Sequence, residues 1–323
     1  MHAIAVAHPN IALVKYWGKA DEARNLPAVG SISITLDTLA TTTSVRFDRA
    51  LHADTFTLDG RPAPDQLERV RACLDLFRAR LPGVPHAEVA SVNSFPTAAG
   101  LASSASGFAA LVVAVDHALG AGLEQTELAE LARQCSGSAA RSLFGGFVEL
   151  RLRPDGAGTD TGQILAAADW PLQVVVAVTS TAAKTTGSTA GMMHTERTSP
   201  YYPAWVATSE DDLAAARRAI HSRDFAALAA VAEHSCLKMH AVALAARPGL
   251  LYWNGATVEC IRCLRELAAR GVGVFFTVDA GPQVKAICMP DGADRVAAAL
   301  AELPGVAQVL RCGLGDGARV IGS

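Results

Sequence analysis

NSFPTAAGLASSASGF, residues 93 to 108, is the stretch that decides the fold, because it places small residues and serines where a loop passes into a helix. Gly100 permits a tight turn there, and a small side chain such as that of Ala105 lets backbone N–H groups approach an anion at the positive end of the helix. Three hydroxyls can reach phosphate oxygens or magnesium, those of Ser103, Ser104 and Ser106. The segment is neither a Walker loop nor a Rossmann turn. It predicts a phosphate-binding loop, with a serine-rich helix start packed on a sheet as the alternative reading.

A second segment, NIALVKYWGKADEARNLPAVGSISITL at residues 10 to 36, adds lysines on both sides of an aromatic pair. Together with the loop it resembles the GHMP kinase superfamily and, within it, the diphosphomevalonate decarboxylase family. The resemblance covers most of the chain and rests on five motifs in the family's order: NIALVKYWGK (10–19), FPTAAGLASSASGFAAL (95–111), SGSAARSLFGGF (136–147), STAGM (188–192) and VDAGP (278–282). Five ordered motifs are far more specific than any one of them.

The resemblance implies an α+β protein with the GHMP kinase fold. In that fold an N-terminal lobe of ribosomal-S5-like type and a C-terminal ferredoxin-like lobe enclose a cleft. We place the boundary near residue 170, which gives lobes of 1–170 and 171–323. Apolar periodicity also predicts helices over about 64–81, 204–222 and 224–245, and a βαββαβ-like pattern towards the C-terminus.

Bulk properties narrow the classes of partner. The formal net charge of −3 gives no general attraction for nucleic acid or an anionic membrane, and no segment resembles a membrane span or a secretory signal. Seven scattered cysteines argue against a disulfide framework, and the C-x-x-C at Cys260 and Cys263 lies in a predicted helix, where packing is the simpler interpretation. A cytoplasmic protein is expected.

The resemblance implies an ATP- and magnesium-dependent reaction on a small molecule, mevalonate 5-diphosphate. The tertiary 3-hydroxyl is phosphorylated, and the new phosphate then leaves together with carbon dioxide to give isopentenyl diphosphate. Such a site needs a nucleotide cradle, cations for a diphosphate tail, a clamp for the carboxylate and a group beside the reacting hydroxyl. The family resemblance also implies a homodimer.

Three residues are predicted to be catalytic. Asp279 lies between an apolar strand and a tight turn, and the resemblance implies that it orients or deprotonates the 3-hydroxyl; capping of the turn is the alternative. Lys15 is predicted to pair with Asp279, to keep it ionised and to neutralise the transferring phosphoryl group. Arg141 follows a Ser/Gly turn and is predicted to clamp the substrate carboxylate, with an ordinary surface salt bridge as the alternative.

The remaining predicted site residues bind substrate or nucleotide. Tyr16 and Lys19 are assigned to the diphosphate tail, Ser138 to the carboxylate, and Ser188 to phosphates at a loop that closes over the nucleotide. The nucleotide set consists of Gly100, Ser103, Ser104, Ala105, Ser106 and Lys184, and magnesium is placed on Ser104.

One position departs from the family's pattern. The family usually has an asparagine two residues after the proline of the second segment, whereas this chain has Val29. Loss of that polar contact leaves open two alternatives, the same chemistry on mevalonate 5-phosphate and a 3-kinase that does not decarboxylate. A catalytically silent scaffold is a further alternative, but such a protein would be expected to lose Lys15, Arg141 and Asp279, which are all present.

Overall fold

The computed structural model describes residues 1–95, 103–182 and 185–323. The predicted nucleotide residues Gly100 and Lys184 therefore lie outside the described residues. The strands in the described part are β1 (His2–Ala7), β2 (Asn10–Val14), β3 (Lys19–Asp21), β4 (Leu26–Pro27), β5 (Ser31–Thr35), β6 (Thr41–Phe47), β7 (Thr55–Leu58), β8 (Arg61–Pro62), β9 (Ala87–Asn93), β10 (Phe147–Leu152), β11 (Thr159–Leu165), β12 (Gln173–Val178), β13 (Val274–Val278), β14 (Val284–Cys288), β15 (Gln308–Gly313) and β16 (Arg319–Gly322). The helices are α1 (Pro64–Arg78), α2 (Ser103–Leu119), α3 (Gln125–Cys135), α4 (Ser188–Thr198), α5 (Tyr202–Ala207), α6 (Ser209–Ser222), α7 (Phe225–Leu244), α8 (Gly255–Ala269) and α9 (Ala293–Ala301).

Two sheets form the first half of the chain. One has the strand order β16-β1-β6-β9-β7-β8, and the other has the order β11-β10-β5-β2. Helix α2 is apolar around most of its circumference, because its middle section, residues 108 to 115, is buried throughout. An all-round apolar helix belongs in a core. The start of α2, where the phosphate loop was predicted, is thereby fixed to the rest of the lobe.

The second half contains an antiparallel sheet of order β13-β14-β12-β15, with α8 and α9 packed on it. If the strands of this lobe are numbered in chain order, their order across the sheet is 2-3-1-4, which is the ferredoxin-like arrangement. The last strand, β16, leaves this lobe and pairs with β1 in the first sheet. The chain therefore ends in the sheet in which it begins.

The two halves share a core. Apolar residues of β2 and β5 pack with residues of α6, α7 and the second-half sheet in one cluster. A partly buried ion pair also joins the halves: Arg217 on α6 bonds to Glu149 on β10, with Nη2 2.5 Å from Oε1. This shared core fixes β2, which carries the first site motif, against α7 and β13.

Most of the predicted elements are present in the structure. The helix predicted over 204–222 is two helices, because Thr208 leaves helical geometry and its hydroxyl bonds to the carbonyl of Ala204. The strand β16 was not predicted. No helix in the described ranges is long and apolar enough to cross a membrane.

Candidate active site

A cavity of about 680 Å³ is lined by the end of β2, the segment 134–138, the start of α4 and the turn after β13. It brings together eight of the predicted site residues: Lys15, Tyr16, Lys19, Ser104, Ser138, Arg141, Ser188 and Asp279. Its size is that of a small-molecule site.

Asp279 lies between two lysines. The Nζ of Lys15 is 2.5 Å from Oδ1, and the Nζ of Lys285 is 3.0 Å from Oδ2. Both lysine side chains are 1% exposed, whereas 32% of the Asp279 side chain is accessible. Burial opposes ionisation of Asp279, but the two ammonium groups outweigh it and hold the pKa of the carboxyl far below its usual range. We call these three residues the buried triad, and the predicted pairing of Lys15 with Asp279 is confirmed.

Local backbone contacts explain why the triad forms. Lys15 follows β2, where its N–H donates to the Ser235 hydroxyl at 3.0 Å and its Nζ donates to the carbonyl of Ala12 at 3.0 Å. Asp279 follows β13, and its carbonyl accepts from the N–H of Gly281 at 2.7 Å in a tight turn. The alternative interpretation of Asp279 as a turn residue is thus correct for its backbone, while its carboxylate is committed to the lysines.

Lys285 was missed by the sequence analysis. It lies on β14 within VKAIC, a strand whose five residues are all buried, and it pairs in register with Thr277. A lysine inside a wholly buried strand must have a charged or polar partner. That signal was present in the sequence, because Val284 and Ala286 flank the lysine and place it in a strand core.

Arg141 is a buried cation on a short 3-10 helix, residues 139 to 143. Its Nη1 donates to the hydroxyl of Ser31 at 2.6 Å and its Nε donates to Oδ1 of Asn10 at 3.2 Å. Burial lowers the pKa of Arg141 to about 10, although Tyr16 and Asp279 oppose this shift. The two neutral partners orient the guanidinium without neutralising it, so it can bind an anion from the cavity. The surface salt bridge alternative is wrong, because the residue is not at the surface.

Helix α7 supports the turn that carries Asp279. His240 is buried with its Nε2 3.1 Å from the carbonyl of Val278, and burial lowers the pKa of His240 to about 4. The thiol of Cys236 lies 3.2 Å from the N–H of Val278 and accepts from it. Both contacts fix the backbone immediately before Asp279.

A second group of cations lines another part of the wall. Lys19 donates to Oδ1 of Asn25, and Arg69 donates to the carbonyl of Cys135 at 3.3 Å while its guanidinium lies over the ring of Phe108. Burial lowers the pKa of both cations; for Lys19, the nearby carboxylate of Glu22 opposes this shift, and Arg69 adds to it. We call Lys19 and Arg69 the cationic wall. Among the described residues, neither lies within ion-pairing distance of a carboxylate.

Tyr16 and the serine turn complete this part of the wall. The Tyr16 hydroxyl is buried and has no hydrogen-bond partner among the described residues, and burial raises the pKa of Tyr16 to about 12. It fits closely over Gly137, where an added Cβ would lie 2.5 Å from the hydroxyl. The carbonyl of Ser138 accepts from Asn10 at 2.9 Å, while its hydroxyl is 3.4 Å from that of Ser136. Both residues line the cavity, and the Tyr16 hydroxyl has unused hydrogen-bonding capacity.

The predicted nucleotide serines are placed differently from one another. Ser104 borders both the main cavity and a second cavity of about 180 Å³, which Ser103 also lines. Ser106 is fully buried, and its hydroxyl is 2.6 Å from that of Thr41 on β6. Ala105 is buried beside it. A phosphate contact from Ser106 would require its hydroxyl to turn away from Thr41, because α2 directs it at the sheet.

Helix α4 begins at Ser188, which lines the cavity at the N-terminal end of the helix. Met192 on the same helix packs in a cluster with Trp17 and Val29. Val29 is 1% exposed and does not line the cavity. The departure from the family's pattern at this position thus extends an apolar cluster behind the site.

Magnesium has a limited choice of ligands here. No group of three His, Cys, Asp or Glu side chains able to hold a metal occurs within residues 1–95, 103–182 and 185–323. Both oxygens of Asp279 are already ion-paired. Mg²⁺ commonly binds through few protein oxygens together with substrate phosphates and water, and the Ser104 hydroxyl fits such a set.

Comparisons with known proteins agree with this geometry. Residues 7–161 match the family described as "Diphosphomevalonate decarboxylase-like N-terminal domain", and residues 174–310 match "Mevalonate 5-diphosphate decarboxylase C-terminal domain". A diphosphomevalonate decarboxylase of Candida albicans is 38% identical over 300 residues, which cover 87% of this chain and 83% of that protein.

Solved structures are similarly close. The structure described as "MDDEF in complex with MVAPP, AMPPCP and Magnesium" has a TM-score of 0.93 and 36% identity, covering 100% of this chain and 99% of the other. The mevalonate diphosphate decarboxylase of Staphylococcus aureus also has a TM-score of 0.93 and 36% identity, covering 99% and 98%. The GHMP kinase fold predicted from the motifs is confirmed by these matches.

Proposed function

The chain belongs to the diphosphomevalonate decarboxylase family, and from this premise we propose that it converts mevalonate 5-diphosphate and ATP to isopentenyl diphosphate, ADP, phosphate and carbon dioxide. The observation that carries the proposal is the presence, around one cavity, of the buried triad, the clamp residue Arg141 and the cationic wall. A plain kinase would need no buried guanidinium held ready for a carboxylate.

Asp279 orients the 3-hydroxyl in this proposal. The partly accessible carboxylate accepts a hydrogen bond from the hydroxyl, and Lys15 compensates negative charge on the phosphoryl group as it transfers. A carboxylate with two ammonium neighbours is a weak base, so orientation contributes more than proton removal before the transfer begins.

Decarboxylation follows from the position of Arg141. When the new phosphate leaves, the C–O bond to it breaks, the C–C bond to the carboxylate breaks, and the electron pair of that bond forms the alkene. The guanidinium, with Ser138 beside it, holds the carboxylate in line for this elimination. Because Arg141 is fixed by Ser31 and Asn10, it orients the carboxylate with little loss of side-chain entropy.

The cationic wall favours the 5-diphosphate over the 5-phosphate. Arg69 repels Lys19 while Glu22 attracts it, and an anion bound between the two cations would relieve the repulsion. The Tyr16 hydroxyl supplies a further donor. A tail with two phosphates can contact all three groups. These contacts replace the one that the family's usual asparagine would make at the position where this chain has Val29.

ATP is proposed to place its phosphates at the start of α2, near Ser103 and Ser104, and near Ser188 at the start of α4. Its base is assigned to the 180 Å³ cavity, whose wall includes Phe56, Leu58 and Phe108. Magnesium bound at Ser104 would supply positive charge to the phosphates of the nucleotide. The predicted roles of Gly100 and Lys184 remain part of this proposal.

Three further properties are proposed from the family and the sequence. They are a homodimeric state, a cytoplasmic location and a lobe boundary near residue 170. The seven scattered cysteines support the cytoplasmic location.

The proposal is tested with purified protein, ATP and Mg²⁺, supplied separately with mevalonate, its 5-phosphate and its 5-diphosphate. ADP and carbon dioxide are measured in the same reaction. Equal amounts of both from the diphosphate alone are expected. Matched release from the monophosphate alone would replace the proposed substrate, and ADP without carbon dioxide would refute decarboxylation.

A further inference from the structure

Lys285 is a buried cation that the proposed reaction does not use directly. Its side chain is 1% exposed, and it does not line the main cavity. Its Nζ is 3.0 Å from Oδ2 of Asp279, the oxygen that Lys15 does not contact. Burial of an ammonium group is costly, and a chain that keeps it inside a strand must gain from the charge itself or from its geometry.

The two lysines have different surroundings. Lys15 lines the cavity and donates to the Ala12 carbonyl as well as to Asp279, so it can meet substrate. Lys285 lies behind Asp279 on β14, where Thr277 is its register partner on β13. Lys285 can therefore reach the reaction only through Asp279.

We propose that Lys285 is a positioning residue: it fixes the rotation of the Asp279 carboxylate and supplies the second positive charge beside it. With one oxygen on each lysine, the carboxylate plane cannot turn, and its exposed edge stays directed at the cavity. Lys15 then donates only one hydrogen bond to Asp279, and its ammonium group remains available to the phosphoryl group. This inference rests on the proposed function of the site.

The charge around Asp279 comes from several elements. The charged or titratable groups that face it are Lys15, Lys285, Arg141, His240 and Cys236. His240 is neutral at physiological pH because burial lowers its pKa to about 4. The cations beside the carboxylate are therefore the two lysines and the more distant Arg141. After removal of Lys285, one close ammonium group remains to oppose burial, which raises the pKa of Asp279.

The test compares Lys285→Met with the wild-type protein. Methionine removes the charged terminal atom and keeps an unbranched side chain of nearly the same length. We expect kcat to fall about 10- to 100-fold with little change in KM for mevalonate 5-diphosphate, because orientation of the hydroxyl is lost and the binding contacts remain. The pKa of Asp279 should rise, so any acid limb of the kcat profile, meaning a loss of kcat at acid pH that is due to protonation of Asp279, should begin at higher pH than in the wild type. Substrate ionisation is the same in both proteins, so the displacement reports the enzyme.

Two variants separate positioning from simple loss of structure. Lys285→Arg keeps the charge and should restore the wild-type acid limb even where kcat is only partly recovered; if Lys285→Met does not fold, this variant alone decides. Lys238→Met removes a lysine from an ion pair of the same kind, with Asp212 at 2.5 Å, away from the cavity. It should lower thermal stability without moving kcat or its pH profile. Wild-type kcat and pH profile in folded Lys285→Met, or an acid limb that Lys285→Arg leaves displaced, would overturn the proposal.

Unfolding by urea gives a readout that does not depend on activity. The folded pKa of Asp279 lies below its unfolded value, so its contribution to stability is full above about pH 4 and is lost as the pH falls further. Lys285→Met should show a smaller shift of the urea midpoint between neutral and acid pH than the wild type. If the wild type releases neither ADP nor carbon dioxide, the proposed function fails, while this comparison still decides whether Lys285 acts on Asp279.

Discussion

The buried triad and the cationic wall use positive charge in opposite ways. In the triad, two lysines are ion-paired with Asp279 at 2.5 and 3.0 Å, so the charges are fixed before any ligand arrives. In the cationic wall, Lys19 and Arg69 have neutral partners, and within the described residues no carboxylate pairs with either. Paired charges hold a geometry, whereas unpaired charges lower their energy by binding an anion. The first region is suited to orienting a reacting group, and the second to substrate affinity.

Asp279→Asn should have the largest effect, because it removes the anion that holds the triad together. Asparagine keeps the shape but leaves two buried lysines without compensation and weakens orientation of the hydroxyl. We expect kcat to fall about 10³-fold, with substrate binding reduced far less. Single-turnover release of ADP and carbon dioxide, alongside calorimetric titration with mevalonate 5-diphosphate, measures both quantities.

Circular dichroism and thermal melting serve as the control for Asp279→Asn, because uncompensated lysines also lower stability. A folded variant with kcat within a few-fold of the wild type would show that Asp279 is a structural turn residue. The buried triad would then not be the region that orients the reacting hydroxyl.

Arg69→Met should have an intermediate effect and one of a different kind. Loss of a charge-assisted contact to the diphosphate tail is expected to raise KM about 10- to 100-fold while kcat changes little. Preference for the 5-diphosphate over the 5-phosphate should narrow as well, because the removed cation serves the longer tail. Steady-state kinetics with both substrates measures this split.

Arg71→Met is the matched control for Arg69→Met. Arg71 lies on the same helix but is partly exposed, does not line the cavity and is paired with Glu68 at 2.9 Å, so its removal should leave KM and kcat unchanged. If Arg69→Met lowered kcat as much as it raised KM, the cationic wall would act in the chemical step, and the contrast with the triad would not hold.

The same two regions show what could be inferred from the sequence. The motifs predicted the fold, the pairing of Lys15 with Asp279 and the place of Tyr16 and Lys19 at the site, because these residues lie inside contiguous family patterns. Lys285 and Arg69 were missed, because each reaches the site from an element outside those patterns, β14 and α1 respectively. Their contribution depends on strand register and helix orientation, which only the packed structure fixes.

Val29 and Ser106 show the same limit for residues that were identified. The sequence marked Val29 as a lost polar contact, but packing places it in an apolar cluster with Trp17 and Met192. Ser106 was grouped with two other serines, yet the turn of α2 directs its hydroxyl to Thr41. In a helix, residues two apart lie on different faces, so neighbouring serines cannot all meet one ligand.

Tyr16→Phe should have the smallest effect. It should weaken substrate binding, while the stability of the protein stays the same or rises. The hydroxyl is buried without a partner among the described residues, so removing it eliminates an unsatisfied polar group and should leave stability unchanged or raise it by up to about 1 kcal/mol. If the hydroxyl donates to the diphosphate tail, its loss should also raise KM about 3- to 30-fold. Thermal melting without ligand and steady-state kinetics separate the two effects, and Tyr201→Phe, which changes an exposed tyrosine, is the control. A rise in KM with no loss of stability assigns Tyr16 to the binding region beside the cationic wall, whereas a loss of stability with unchanged KM would make it a packing residue over Gly137.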